Sequence, residues 1–382
     1  MPDNHKIFND YFINSLPRAD SSQAGLFKIE EYAQVRSFFH SQSSFQPTSL
    51  YHLRELAKKI GVGDILLKDE STRFELDSFK IIGVAYALHR LLSEGRLSND
   101  SVLACATEGN HGRAVAHIAR KNNLKAKIYV AADTVRARIE AIEKEGAEVC
   151  VIAGSYDEAV REVAKDAEIY DWKIISDTSW EDYDEIPRLI MAGYTWMLDE
   201  AKTQWEAEPP DIVLVQAGVG SLAAAIVSWF CRQYAENRPR LVVCEPSSSA
   251  SLLKSASARQ IISIKHPFDT VMVGLRCGET SPLAWSVLSE SVDAFIAVSD
   301  DRCSEAMRLL AYPDGDDPVV IAGAAGACGL AGLLAISQNE NFLELCEAIG
   351  MNECSRVLLI NTEGATDPES YARITGCLRK EI

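Results

Sequence analysis

Glu75-Leu76-Asp77-Ser78-Phe79-Lys80-Ile81-Ile82-Gly83 joins a short strand to an apolar helix, and the rest of the chain organises around it. Upstream, Asp64-Ile65-Leu66-Leu67-Lys68-Asp69-Glu70 reads as the strand; downstream, Ile81, Ile82, Ala85, Tyr86, Leu88 and Leu92 recur at helical spacing. Asp77 or Ser78 is the expected N-cap, which puts Lys80 in the first turn. Cations ordinarily gather at the other end of a helix. That field, with apolar Phe79, Ile81 and Ile82 alongside, favours a neutral amine, the form in which a lysine condenses with a carbonyl. A lone lysine more commonly lays its stem on apolar surface with its head in water, so support must come from elsewhere in the chain.

The remaining pattern supplies a frame. From residue 101 strands and helices alternate: Val102–Ala106, Gly109–Lys121, Ala126–Ala131, Thr134–Glu145, Glu148–Ile152, Tyr156–Ala167 and Trp172–Ser176. Such alternation means βαβ units on a largely parallel sheet. A long helix is expected from Pro187 to Glu206, and the apolar run Asp211–Gln216 opens a second series through a helix at Leu222–Tyr234 and a strand at Arg240–Cys244. The strand Ser355–Asn361 and a helix from Asp367 close it. Before the lysine, residues 1–50 read as an arm or cap, and helical pattern runs from Ser49 to the Gly61-Val62-Gly63 stop.

At 382 residues the chain is long enough for two domains or one large α/β unit. Its net charge of −17 argues against nucleic acid or anionic membrane as a partner. The start shows no secretory pattern, and ten cysteines scattered without a CxxC pair read as buried thiols of a reducing compartment, hence a cytoplasmic protein. Val319 to Ser337 is 19 residues without a charge, yet Gly323, Gly326, Gly329 and Gly332 recur in it and basic flanks are missing. A packed interior helix is expected there rather than a membrane span.

Two strand-to-helix junctions and one acidic cluster after a strand carry candidate chemistry. Gly218-Val219-Gly220-Ser221 offers backbone N–H groups and a positive helix end to a phosphate. With Ala223 it also satisfies G-x-G-x-x-A, and Glu245 ends the next strand about where a ribose-binding acid would sit, which keeps a dinucleotide-dependent oxidoreductase open. In Ala106-Thr107-Glu108-Gly109-Asn110-His111-Gly112-Arg113, Thr107 and Asn110 are suited to a carboxylate, and Asn110 also to a phenolate oxygen. Asp177, directly after the Lys173–Ser176 run, is placed to face a cleft. His111 and His117 lack the partners of a metal site, so no metal is assigned.

Lys80 with Gly83, Gly109-Asn110-His111-Gly112, the glycine turn at 218–221 and Asn361-Thr362-Glu363-Gly364 together resemble the fold-type II pyridoxal 5′-phosphate enzymes. The loop at 106–113, Asp177-Thr178-Ser179-Trp180-Glu181-Asp182-Tyr183 and Gly274-Leu275-Arg276-Cys277-Gly278-Glu279 narrow the likeness to the diaminopropionate ammonia-lyase family.

The resemblance implies an α/β fold with two open, twisted, mainly parallel sheets flanked by helices and the cofactor between a large and a small domain. Residues 1–45 would form an arm, 46–83 with 187–382 the large domain, and 84–186 the small inserted one. A homodimer is implied as well. By the same resemblance Lys80 is the imine lysine and catalytic base, Asn110 the partner of the phenolic oxygen, Gly218, Val219, Gly220, Ser221 and Leu222 the phosphate loop, and Thr362 the neighbour of the ring nitrogen. Thr107, Glu108, His111 and Asp177 would meet the substrate, with Glu108 and Asp177 catalytic.

The implied reaction is α,β-elimination of 2,3-diaminopropionate or a close β-substituted amino acid; a serine/threonine-type dehydratase or β-replacement synthase is the nearest alternative. Two positions depart from the family pattern. Glu108 stands where an aspartate is usual, and Ala322-Gly323-Ala324-Ala325-Gly326 has alanine where such folds often carry a glutamate near the cofactor ring.

Overall fold

The computed structural model describes residues 10–15, 25–107, 109–206, 208–265 and 267–376. In chain order the strands are β1 Tyr11–Ile13, β2 Leu50–His52, β3 Asp64–Asp69, β4 Val102–Thr107, β5 Lys125–Ala131, β6 Glu148–Ile152, β7 Lys173–Ile174, β8 Ile212–Gln216, β9 Arg240–Pro246, β10 Ala294–Val298 and β11 Arg356–Asn361. They form two sheets. One has seven strands in the order β1-β10-β9-β8-β11-β3-β2, and the other four in the order β6-β5-β4-β7. The four-stranded sheet is parallel throughout; in the larger one only β1 and β2, at the two edges, run antiparallel.

The core follows the two-residue strand period. Val213, Val215, Leu358 and Ile360 join one apolar cluster. Their alternates Ile212, Leu214, Val357 and Leu359 join another on the opposite face of the large sheet. The helix Ala324–Gln338 fills that second face, its residues from Ala325 to Ile336 all buried. Its 15 residues rise about 22 Å, short of the ~30 Å hydrocarbon layer, so the charge-free run is interior packing as expected. Among the described residues no helix is long and apolar enough to cross a membrane.

Three elements differ from expectation. Leu50–His52 is not helical: it pairs with β3, Leu50 opposite Lys68, and the helix starts only at Arg54. Edge pairing outweighs local helical spacing there. The long helix after Asp177 is two, Glu185–Tyr194 and Trp196–Lys202, joined at Thr195, whose hydroxyl donates to the Ala192 carbonyl at 2.6 Å. The Trp172–Ser176 strand shrinks to β7; Ile175 N still donates to the Ala104 carbonyl at 2.8 Å, and Asp177 lines the cleft.

Two packing features position the lysine turn. Gly83 and Gly193 let the helices Lys80–Ser93 and Glu185–Tyr194 cross closely; a Cβ on Gly193 would stand 2.7 Å from the Ile82 carbonyl oxygen. The turn before Lys80 is anchored by a buried charge cluster. Arg73 Nη2 meets Glu70 at 2.7 Å and Glu200 at 2.6 Å, and Lys68 Nζ meets Glu200 at 3.0 Å. With two cations and two carboxylates the cluster is formally neutral, which lets it sit in the core.

Candidate active site

A cleft of about 770 Å³, its mouth included, lies where the strand ends of both sheets meet. Lys80, Asn110, His111, Asp177, Gly218 to Leu222, Thr362 and Glu363 all line it. Lys80 and Glu363, 283 positions apart in sequence, are thus gathered with the others at strand C-termini, as open α/β sheets do.

Lys80 is the first residue of its helix, with Phe79 as the flanking cap position, one residue past the expected Ser78. Its Nζ makes a short contact with Asp177 Oδ2 and lies 5.1 Å from the Phe79 ring centroid. The helix end and apolar flanks, from which the sequence favours a neutral amine, are therefore not its whole surroundings, because a carboxylate touches it. Burial, the largest single influence, would raise the Asp177 carboxyl, but the charge and hydrogen bond of Lys80, the nearby His111 and the Tyr194 hydroxyl at 3.2 Å together lower it. The group is held well below the usual carboxylate range. It stays ionised.

Thr107 and His111 are buried in the loop after β4. The Thr107 hydroxyl oxygen accepts from Gly109 N at 2.8 Å and Gly112 N at 3.0 Å, so it shapes the loop as well as lining the cleft. His111 Nε2 donates to the Ile175 carbonyl at 2.8 Å, which leaves Nδ1, 4.0 Å from Asp177, without its proton. Burial pushes this imidazole down, consistent with the neutral form. Glu108 lies outside the described residues.

On the far wall, the 14-residue helix Ser221–Tyr234 starts from Gly220, whose φ of +100° suits glycine. Among the described residues the N–H groups of Gly218, Val219 and Gly220 meet no acceptor. A Cβ on Gly218 would stand 3.0 Å from Cys277 Sγ, so this wall also has no room for a side chain. Ser221 donates its hydroxyl to the Asp177 carbonyl, tying the cradle to the lysine's partner. Thr362 Oγ1 accepts from Gln216 Nε2 at 3.0 Å and keeps its own O–H to donate. These residues fit a ring cofactor with a phosphate tail: an anion cradle of free amides, an amine, and polar donors between them.

The dinucleotide alternative fails on geometry. Glu245 is wholly buried and accepts from Leu252 N at 2.8 Å and Leu253 N at 2.7 Å, capping the helix Ser251–Ala258 instead of facing the cleft. Four cleft participants were not foreseen. Tyr194 reaches Asp177, Gln216 braces Thr362, and Glu363 accepts from Asn110 with Arg138 at 3.7 Å. Glu363 also reaches the alanine segment, taking the Ala325 N–H at 3.3 Å. A carboxylate from the next strand end thus stands against the segment where the fold's usual glutamate is missing.

A family profile described as "Pyridoxal-phosphate dependent enzyme" matches residues 42–346. The diaminopropionate ammonia-lyase of Escherichia coli strain K12 is 34% identical over 366 residues, covering 91% of this chain and 92% of its own. That of Salmonella typhimurium is 33% identical, with 89% and 91% covered. A crystal structure of the Escherichia coli lyase in complex with an aminoacrylate-PLP azomethine reaction intermediate superposes with a TM-score of 0.87, at 34% identity, over 95% of this chain and 98% of that one.

Proposed function

This chain belongs to the pyridoxal-phosphate-dependent enzymes, and within that family we propose that it removes ammonia from 2,3-diaminopropionate by α,β-elimination, leaving pyruvate and a second ammonia. The observation that carries the reading is the Lys80–Asp177 pair facing the amide cradle at 218–220 across one cleft. Held there, pyridoxal 5′-phosphate supplies the electron sink for the substrate's α-carbon. Gly218 to Leu222 would hold its phosphate, Asn110 would donate to its phenolic oxygen and Thr362 to its ring nitrogen.

Lys80 is first the anchoring amine. When free, its Nζ would take the substrate's α-proton and become an ammonium beside Asp177. Asp177, ionised throughout, steadies that ammonium and attracts the substrate's β-ammonium, whose C–N bond breaks to give neutral ammonia. The enamine released to water hydrolyses to pyruvate and the second ammonia. His111 stays neutral and orients, since its Nε2 proton is committed to Ile175. The reading extends to residues 84–186 as the small domain, 46–83 with 187–382 as the large one, 1–45 as an arm, and a cytoplasmic homodimer.

The test is spectroscopic and catalytic. Protein reconstituted with pyridoxal phosphate should show a visible absorption band that Lys80→Ala abolishes. Pyruvate and ammonia should then appear from L- or D-2,3-diaminopropionate ahead of serine, threonine and their O-acetyl forms. Turnover of a hydroxy or acetoxy amino acid with neither diamine consumed would sink the lyase assignment.

A further inference from the structure

Resting on the cofactor reading above, we propose that Glu363 is a positioning residue that fixes the amide of Asn110, so that an N–H and not a carbonyl oxygen faces the cofactor's phenolic oxygen. The two stand 253 residues apart and belong to different sheets' strand ends. Glu363 is 2% exposed, and its carboxylate collects donors from both sides of the cleft. From the side of the four-stranded sheet come the Asn110 amide and, 3.7 Å away, the Arg138 guanidinium. From the other come the Thr366 hydroxyl at 3.1 Å and the Ala325 N–H at 3.3 Å. The backbone holds it too: Ser78, in the lysine turn, pairs antiparallel with Glu363 as an isolated bridge.

An ionised carboxylate only accepts, whereas an asparagine amide has one accepting and one donating end. Against Glu363, Asn110 must therefore present its NH₂. One N–H goes to the carboxylate; the second has no other partner among the described residues and belongs to a side chain lining the cleft. Without the carboxylate nothing distinguishes the two ends of the amide, and the flipped form would aim an oxygen at an oxygen. Arg138 lies 3.7 Å from the carboxylate and also donates to Thr366 Oγ1 at 3.2 Å, closing the ring.

A double-substitution cycle decides it, read as the dissociation constant of pyridoxal phosphate from apoprotein and as the pH midpoint of the visible band. Asn110→Ala and Glu363→Gln should each weaken binding about tenfold and move the midpoint in the same direction. Together they should weaken it little more than Asn110→Ala alone. Additive losses, near a hundredfold, overturn the proposal, as does a Glu363→Gln protein with unchanged binding and midpoint. If Glu363→Gln does not fold, Thr366→Val replaces it in the cycle, with an expected loss of about threefold that vanishes in the Asn110→Ala background; a loss that persists there overturns the proposal. A wild-type protein that takes up no pyridoxal phosphate overturns the cofactor reading as well, which keeps the two failures distinct.

Discussion

Tyr194 donates its hydroxyl, at 3.2 Å, to the same carboxylate oxygen of Asp177 that contacts Lys80. The phenol is wholly buried, and burial followed by the Asp177 charge pushes its ionisation well above the usual range, so it remains a donor at any working pH. Tyr194→Phe removes one stabiliser of a depressed carboxylate. The Asp177 carboxyl then rises, and the acid limb of the pH profile of kcat/KM moves to higher pH, with about a tenfold loss at neutral pH. An unmoved acid limb would contradict this account of Asp177.

Gly218→Ala tests the cradle. Its new methyl would stand 3.0 Å from Cys277 Sγ and 3.4 Å from Leu275 Cα, on the wall where the free amides converge. Pyridoxal phosphate affinity should fall about tenfold or more, measured by reconstitution of apoprotein, while far-ultraviolet circular dichroism is unchanged. Retained affinity would move the phosphate elsewhere.

Glu200 is the shared carboxylate of the buried charge cluster, within 3.0 Å of Lys68 and 2.6 Å of Arg73. Removing one partner strands charges in the core, so Glu200→Ala should lose about 3–5 kcal/mol in urea unfolding. A loss under 1 kcal/mol would show that the cluster is hydrated or rearranges.

Burial pushes the Glu245 carboxyl up to about 8, opposed by the Leu252 and Leu253 amides. A carboxyl raised above its unfolded value binds its proton more tightly when folded, so its contribution is complete below about pH 4.5 and is lost as pH rises through about 8. The melting temperature should fall by a few degrees between pH 6 and pH 9, and Glu245→Gln should flatten that fall. An equal fall in the variant would assign the pH dependence to another group.

Much of this architecture is legible in the chain because strand period and glycine placement are local signals. β8 and β11 read as buried strands from their continuous apolar runs, and Gly218-Val219-Gly220 announces a turn whatever packs on it. The misread stretches are those where a distant partner decides. Leu50–His52 has helical spacing but is claimed by β3, and nothing near Thr195 announces the bend that brings Tyr194 over Asp177. Lys80 is identifiable because a family pattern surrounds it, whereas its pairing with Asp177 crosses 97 positions of sequence. Glu363 was visible as a residue after a strand; its contacts with Asn110 and Arg138 depend on how two sheets face each other, which no local pattern encodes.

The edges of the two sheets differ in a way that bears on handling the protein. The large sheet ends on both sides in antiparallel strands of three residues, β1 and β2, too short to template another chain. β6 is the longest edge strand of the small sheet, five residues with Val151 57% exposed. Strand edges of that length recruit neighbours when concentration is high. Precipitation on storage should therefore begin at β6, and Val151→Lys should raise the usable concentration while leaving the cleft untouched.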